Sequence, residues 1–589
     1  MGLKSLVHGF TCISTAGIAA LVAPNAAHAG GLEYTGQGTA SLARGGAVTA
    51  RASDPMTLAH NPAGLAELRG NQMLLDLNFA YLDACVDPNG YYGWGAYLGG
   101  NAASLPDPRT GVPESIPLGA VDETGPMPVP VALDYYTDPY DTVCLDQSKG
   151  PIPQLAFSMR LSDRVGIGFG LIFPSVQPTG AWGARGTGVI RGDTGALRPA
   201  ATRYQLLMAN NLGVFPNVGI GYRAAKFLRF GIAAEYGFIA VDTTAMAPAT
   251  GSTSPHNDII AHIEAFDYFV PALTGSLHFV PTDALDVVFA ARWQDRIDAK
   301  GVAEFTSGVF DPNKERNTSI VPVDSVQQNM PWKLRGGVRY ASRRVPRPTS
   351  AETEYDADGR QVLHDPLADE NWDLELDVEY QMNGRNKEQF VDFVDGSRID
   401  FKPLGNAMVP NDITIQKRWK DQWSVRLGGT FNVVPGMVGI SAGAHYETRG
   451  IDPDYMQVDF WPLARVGLHT GVTLRVAKTV DINLSYAHIF QETVVVAPPD
   501  HVSRDVIYAE YESNGNIVNA IDQRVGVQIG RGEAGYQILP VKSQGEADGV
   551  ARLQQNTNTT TNGQPPYITN AGRYRSNFDV VAVGVNFHF

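Results

Sequence analysis

Between Trp372 and Met382 the chain alternates with a period of two. Trp372, Leu374, Leu376, Val378, Tyr380 and Met382 are interleaved with Asp373, Glu375, Asp377, Glu379 and Gln381. Successive side chains of a β-strand point to opposite faces, so this segment has one oily face and one face carrying four carboxylates. A register slip of one residue would exchange the two faces completely. A soluble β-sandwich alternates too, but its apolar face is the interior and its end loops are short. In a membrane barrel the apolar face meets lipid and the ionic face meets a polar lumen. A Lys or Arg on the lipid face near the midplane costs roughly 2–4 kcal/mol, so the ionic face must look inward.

The preceding stretch is complementary. Trp332, Leu334, Val338 and Tyr340 share one face, and Lys333, Arg335 and Arg339 the other. If the two strands are neighbours, basic and acidic side chains oppose each other on the lumen wall. Such cross-strand pairs stabilise a sheet by up to about 1 kcal/mol each. The same rhythm recurs over Trp423–Phe431, Val438–Tyr446, Val466–Val476 and Val480–Tyr486, and in the terminal Val581, Val583, Val585, Phe587 and Phe589. The pattern predicts fourteen strands, near 70–82, 152–162, 164–174, 201–224, 227–241, 263–280, 284–305, 330–342, 371–383, 420–433, 437–449, 463–477, 479–494 and 573–589. The fold class expected is all-β, a 14-stranded antiparallel transmembrane β-barrel over 70–589. Its connections alternate short and long, with 83–151 and 495–572 the longest. One breaks the rule: 343–370 falls where a short periplasmic turn belongs. A strand finishing on Phe589 resembles the C-terminal signature that the outer-membrane barrel-assembly machinery reads.

Composition narrows the field further. The chain has 589 residues and no apolar run of about 18 in its mature region, which argues against a helical membrane protein. A net charge of −15 argues against nucleic acid as a partner. Lys4, an apolar run around Ile13–Val22 and Ala27-His28-Ala29 read as a signal peptide over 1–29, with the mature chain beginning at Gly30. Cys12 lies inside that leader. Cys85 and Cys144 share one inter-strand stretch of an exported protein, and a disulfide stapling that loop is expected rather than a redox or metal role. Gly530-Arg531-Gly532-Glu533-Ala534-Gly535 matches a dinucleotide fingerprint in letters but has no strand–helix context. His445 and His469 face inward, as part of a hydrogen-bonded polar wall rather than a metal site. His488 shares parity with the lipid-facing residues and has no serine partner for hydrolytic chemistry. No cofactor, metal or catalytic residue is expected, and the chain is read as a non-enzyme and a monomer.

Residues 30–69 do not alternate. They are rich in Gly and Ala and end in Asn61-Pro62-Ala63-Gly64-Leu65, which reads as tight turn chemistry. With the Pro153–Pro174 hairpin and a final strand opened by Gly572-Arg573-Tyr574, this segment resembles the FadL/TodX (OmpP1) family of outer-membrane transporters for long-chain fatty acids and hydrocarbons. The resemblance implies that 30–69 is an N-terminal hatch plugging the lumen, with Asn61, Pro62, Ala63, Gly64 and Leu65 as its substrate-side motif. It implies passive uptake of hydrophobic small molecules in the bacterial outer membrane, with a ligand leaving sideways to membrane lipid through a gap at a kinked third strand. Carried onto this chain, that strand is 164–174. There Val165, Ile167, Phe169, Leu171 and Phe173 are expected on the lipid face, and Gly166, Gly168 and Gly170 inside, followed by Pro174. Glycine in a strand marks a bend or a close approach, and proline cannot donate to a ladder. Gly166, Gly168, Gly170, Phe173 and Pro174 are therefore the lateral-gate candidates. The alternative for those glycines is packing space for the plug. The alternative for the whole chain is a structural or adhesive barrel acting through its outer loops.

Overall fold

The structure, a computed structural model, describes residues 37–88, 105–106, 113–114, 140–146, 151–173, 180–183, 189–191, 197–248, 258–307, 317–347, 364–401, 405–409, 412–496, 508–511, 517–521 and 572–589. The leader at 1–29, Gly30–Gly36 of the hatch segment, Pro174 and the Gly530–Gly535 motif lie outside the described residues.

Fourteen staves form one closed antiparallel barrel. They are β1 (Gln72–Pro88), β2 (Pro151–Arg160), β3 (Val165–Ile172), β4 (Leu212–Ala225), β5 (Leu228–Pro248) and β6 (Asp258–Thr282). Next come β7 (Leu285–Gln294, continuing as Ile297–Ser307), β8 (Asn317–Gln328, continuing as Lys333–Arg343), β9 (Glu370–Gln381, then Glu388–Phe393) and β10 (Asp412–Gln416, then Gln422–Val434). The set ends with β11 (Val438–Glu447), β12 (Arg465–Ala477), β13 (Val480–Gln491, then Val494–Val496) and β14 (Gly572–His588). β1 and β14 close the cylinder in an unbroken register from Gln72↔His588 to Pro88↔Gly572.

Alternation sets the two faces as the sequence requires. On β9, Leu374, Leu376 and Val378 are exposed on the outer belt, while Asp373, Glu375, Asp377 and Glu379 are almost fully buried inside. β8 is its neighbour, with Arg335↔Glu379 and Arg339↔Glu375 in register. Aromatic side chains cluster on the outer face, as in the tilted Tyr340–Trp372 and Tyr380–Trp423 pairs.

Several boundaries move. The strand expected over 201–224 begins at Leu212. Before it the chain tucks inward, because the Arg203 guanidinium donates to Asp258 at 2.7 Å and its cation lies over the Tyr204 ring. Residues expected as loop in 306–329 and 384–419 instead extend the sheet outward, with β8 pairing β9 from Val323↔Phe393 to Gln328↔Gln389. Phe173 does not share the outer face with Leu171. It turns inward and joins a buried apolar cluster with Leu42, Ala80 and Ile152. Between β11 and β12 the connection folds into the lumen and buries Met456, Val458, Phe460, Trp461 and Leu463. Cys85 lies opposite Cys144 in the ladder and the two are joined as a disulfide, stapling the base of the first long loop.

Candidate functional site

Residues 37–69, the described part of the segment expected as a hatch, are built from short turns because they are small. Helix α1 (Thr39–Ala43) starts at Gly38, whose φ of 92° suits only glycine. Thr39 donates to Asp76 of β1 from its backbone N at 2.8 Å and its hydroxyl at 2.9 Å. The chain then reverses through Gly45 and Gly46, both with positive φ. That reversal drives Arg44 into the lumen wall. Its Nη1 donates to Asp373 at 2.8 Å and to the Thr430 hydroxyl at 2.7 Å. Arg51 reaches the same Asp373 oxygen at 2.9 Å. Asp377 accepts from the backbone N of Val48 and Thr49 at 3.1 and 3.0 Å and from the Thr49 hydroxyl at 2.6 Å. Glu375 accepts from Ala50 N at 2.5 Å.

The luminal charge patch is thus a clamp on the hatch as well as a strand-to-strand pairing. Arg339 donates to Asp373 at 2.6 Å and to Asp286 at 3.3 Å, and also holds Glu370. Arg335 Nε donates to Glu379 at 2.6 Å, and Arg426 reaches that carboxylate at 2.9 Å. Lys333 is buried on the same face, in register with Gln381. Arg44 and Arg51 were not singled out from sequence. Their signal was present, as lone cations in a run of Gly, Ala and Ser that has no other reason to carry charge. His60 sits at the edge of this network. Burial, with Arg335 beside it, pushes His60 down to about 3, so it is neutral. Its Nε2 then donates to Gln37 O at 3.1 Å while Nδ1 accepts from Arg335 at 3.1 Å.

Helix α2 (Thr57–His60) leads into a 3-10 turn over Pro62–Ala66, with Pro at its first position where no N–H is needed. Asn61, Pro62, Ala63, Gly64 and Leu65 are all buried against the wall. Ala63 N donates to the Ser276 hydroxyl at 2.8 Å. The wall receives this turn on glycines. A Cβ on Gly231 would lie 1.9 Å from Ala63 N, and one on Gly166 would lie 2.0 Å from Leu65 O. Gly168 and Gly170 face Leu65 and Leu58. The three glycines of β3 therefore supply packing room for the hatch.

Among the described residues the pairing between β2 and β3 ends with β3. β2 and β3 pair from Arg160↔Gly166 to Leu155↔Leu171, and β3 pairs β4 only as far as Ile172↔Phe215. Outward of Leu155, residues Pro151–Gln154 pair with β1 and, among the described residues, with no residue of β3. Pro153 lacks the N–H that a new partner would use. Phe173 leaves the sheet here.

The described parts of the enlarged connection 343–370, residues 343–347 and 364–370, pack at the short-turn end of the barrel. Helix α3 (Pro366–Asp369) is capped by Asp365. The Asp365 carboxylate receives Arg69 of the hatch and Arg475 of β12, each at 2.6 Å. Pro366 O and Leu367 O accept from Asn432 and Gly436 at 2.7 and 2.9 Å. On the opposite wall Arg347 donates to Asp286 at 2.8 Å. Asp365→Ala leaves Arg69 and Arg475 without their shared anion and should loosen this strap. The expected result is a higher ion conductance in planar bilayers with unchanged barrel content by circular dichroism; conductance equal to the parent would refute a sealing role.

His445 and His469 meet at 2.8 Å between ring nitrogens. Among the described residues no group of three or more His, Cys, Asp or Glu side chains is placed to hold a metal. His488 lies on the outer face, where Asp579 accepts from it at 2.8 Å and from Tyr486 at 2.6 Å.

No family model and no curated protein matches the sequence. Solved structures do match. A FadL homologue of Pseudomonas aeruginosa aligns at 12% identity and a TM-score of 0.58, over 95% of this chain and 100% of that one. The fold is the FadL/TodX fold. The toluene transporter TodX of Pseudomonas putida aligns at 12% identity and a TM-score of 0.52, over 95% of this chain and 100% of its own. The CymD monoaromatic hydrocarbon channel gives 11% and 0.50, over 94% and 98%. A FadL-type fold accounts for the even stave number, while the strap over the barrel end and the inward loop between β11 and β12 are read from this chain's own contacts.

Proposed function

We propose that this barrel admits hydrophobic compounds, long-chain fatty acids or hydrocarbons, through the bacterial outer membrane and releases them sideways into the bilayer. One observation carries the reading: among the described residues the β2–β3 ladder ends at Leu155↔Leu171, beside a lumen that holds residues 37–69 and their ionic clamp. An alkyl chain forced through that lumen would lose about 0.8 kcal/mol for each CH₂ kept in polar surroundings rather than buried. Beside the end of the ladder Ile152 and Phe173 join a buried apolar cluster, with half-buried Leu171, Leu212 and Val214 packed against it, which suits an apolar ligand. The hatch motif Asn61–Leu65 holds the turn that lies against β3, and Gly166, Gly168 and Gly170 let it do so. The structural neighbours, a FadL homologue and a toluene transporter, support the same class of cargo.

The test is uptake. Cells lacking the gene should accumulate less radiolabelled oleate or hexadecane than cells carrying it, with equal uptake of a hydrophilic sugar. Equal accumulation of every hydrophobic probe in the two strains would overturn the proposal.

A further inference from the structure

Two cations face each other across a ladder inside the barrel. Arg292 of β7 lies directly opposite Lys333 of β8 on the inner face of the sheet. Like charges in that position destabilise a sheet, and here Lys333 is also buried. Register extends the row on both sides. Thr274 of β6 lies opposite Arg292, and Gln381 of β9 lies opposite Lys333. Two adjacent cations thus stand between two neutral side chains, and Arg335 is the next inward residue of β8.

This row lines a cavity of about 60 Å³ between the barrel wall and residues 37–69. The lining carries five cations, Arg292, Lys333, Arg335, Arg426 and Arg465, and two carboxylates, Glu235 and Glu379. Glu235 accepts from Arg292 at 3.1 and 2.8 Å, and Glu379 is shared by Arg335 and Arg426. Glu447, next to the lining, pairs with Arg465. With Glu447 counted, the cations still exceed the carboxylates by two. Asp377, the next carboxylate along β9, is taken by Val48 and Thr49. An excess of positive charge around a cavity calls for a counter-ion. Two hydroxyls point to the same need. Ser41 of α1 and Thr274 both line the cavity, at 5% and 3% exposure. Neither hydroxyl has a hydrogen-bond partner among the described residues, although buried hydroxyls are ordinarily paired.

We propose that this cavity binds a small tetrahedral oxyanion, inorganic phosphate or sulfate, through Arg292, Lys333 and the Thr274 hydroxyl of the wall and the Ser41 hydroxyl of the hatch segment. Guanidinium, ammonium and hydroxyl groups can all donate to such an ion, and hydrogen bonds between charged partners are roughly twice as strong as neutral ones. His60, also in the lining, is neutral and accepts from Arg335 through Nδ1. The lining favours a free ion over the head of an alkyl chain. Apart from Ile172 its apolar side chains are those of Ala59, Ala290 and Ala291, so a tail would find little surface to bury against. The ion would touch wall and hatch segment together. A ligand that binds only the docked arrangement stabilises it by mass action, so the ion acts as a removable pin. This site does not depend on the route that a hydrophobic cargo takes.

The experiment is equilibrium binding of radiolabelled sulfate and phosphate to the purified full-length barrel in a neutral detergent and chloride buffer. One equivalent should bind, and the two ions should compete. Lys333→Gln should weaken binding at least about tenfold, the scale of one charge-assisted hydrogen bond. Thr274→Val keeps the side-chain shape and should weaken it about threefold. It carries the test alone if Lys333→Gln does not assemble, as judged by heat-modifiable migration. Sulfate should also slow cleavage of residues 37–69 by added protease in the wild type, with a smaller effect at the same concentration in either variant. Acetate and dodecanoate should displace sulfate equally poorly. No saturable binding, an affinity unchanged by substitution, or binding that leaves protease cleavage unaltered would each overturn the site. Displacement by dodecanoate far below the concentration needed for acetate would overturn it too, by showing that the cavity takes an alkyl chain.

Discussion

Asp373→Leu is expected to destabilise the barrel by about 3–5 kcal/mol, the range for removing one partner from a buried charge network. Asp373 is the shared anion of three arginines: Arg44 at 2.8 Å, Arg51 at 2.9 Å and Arg339 at 2.6 Å. It also accepts from Thr430 N at 2.9 Å. Leucine would fill a similar volume but leave three guanidinium groups crowded together without that charge. Two of them belong to the hatch, so the first consequence is loss of hatch docking and the second is earlier unfolding of the sheet. Urea unfolding in detergent micelles measures the second, and limited proteolysis of residues 37–69 the first. Adding Arg44→Leu to Asp373→Leu should recover part of the loss, because it removes one of the stranded cations. A shift under about 1 kcal/mol with a protease-resistant hatch would show that the clamp is dispensable.

Gly231→Val tests the same docking from the other side of the lumen. The added Cβ would sit 1.9 Å from Ala63 N and 2.2 Å from Pro62 C, both backbone atoms that have no side-chain freedom with which to yield. The turn Pro62–Ala66 has to back away from the wall. Overpacking of this kind costs up to about 3 kcal/mol, which multiplies the displaced-hatch population roughly a hundredfold. The readout is ion conductance together with cleavage of the hatch by added protease. Gly275→Val is the control, since its Cβ would meet nothing within 4 Å. If the two variants behave alike, contact between hatch and wall does not govern the seal.

These two sites differ in how much of them could be read from the sequence. The β9 face was legible because its alternation is local: Trp372 to Met382 specify inside and outside without reference to any other residue. The pairing of Arg335 with Glu379 followed from β8 and β9 being adjacent. What Asp373, Glu375 and Asp377 grip was not legible, because Arg44 lies far away in sequence and nothing in the pattern gives the path of a non-periodic segment. The sheet extensions at Asn317–Gln328 and Glu388–Phe393 were also missed. Their alternation is weaker, since outside the bilayer both faces of a strand are free to be polar. Phe173 was misplaced for a related reason. Period two holds only while the ladder holds, and the ladder ends one residue earlier, at Ile172.

The β1–β14 seam has a bearing on biogenesis. The first stave of the cylinder is joined to the last, so β1 keeps an open edge until Gly572–His588 arrives. An unpaired edge of that length is a template for wrong partners, and the long separation between the two makes its closure entropically late. Thr39 of the stopper is tied to Asp76, which lies opposite Gly584 across that seam, so the stopper has to be in place as the cylinder is sealed around it.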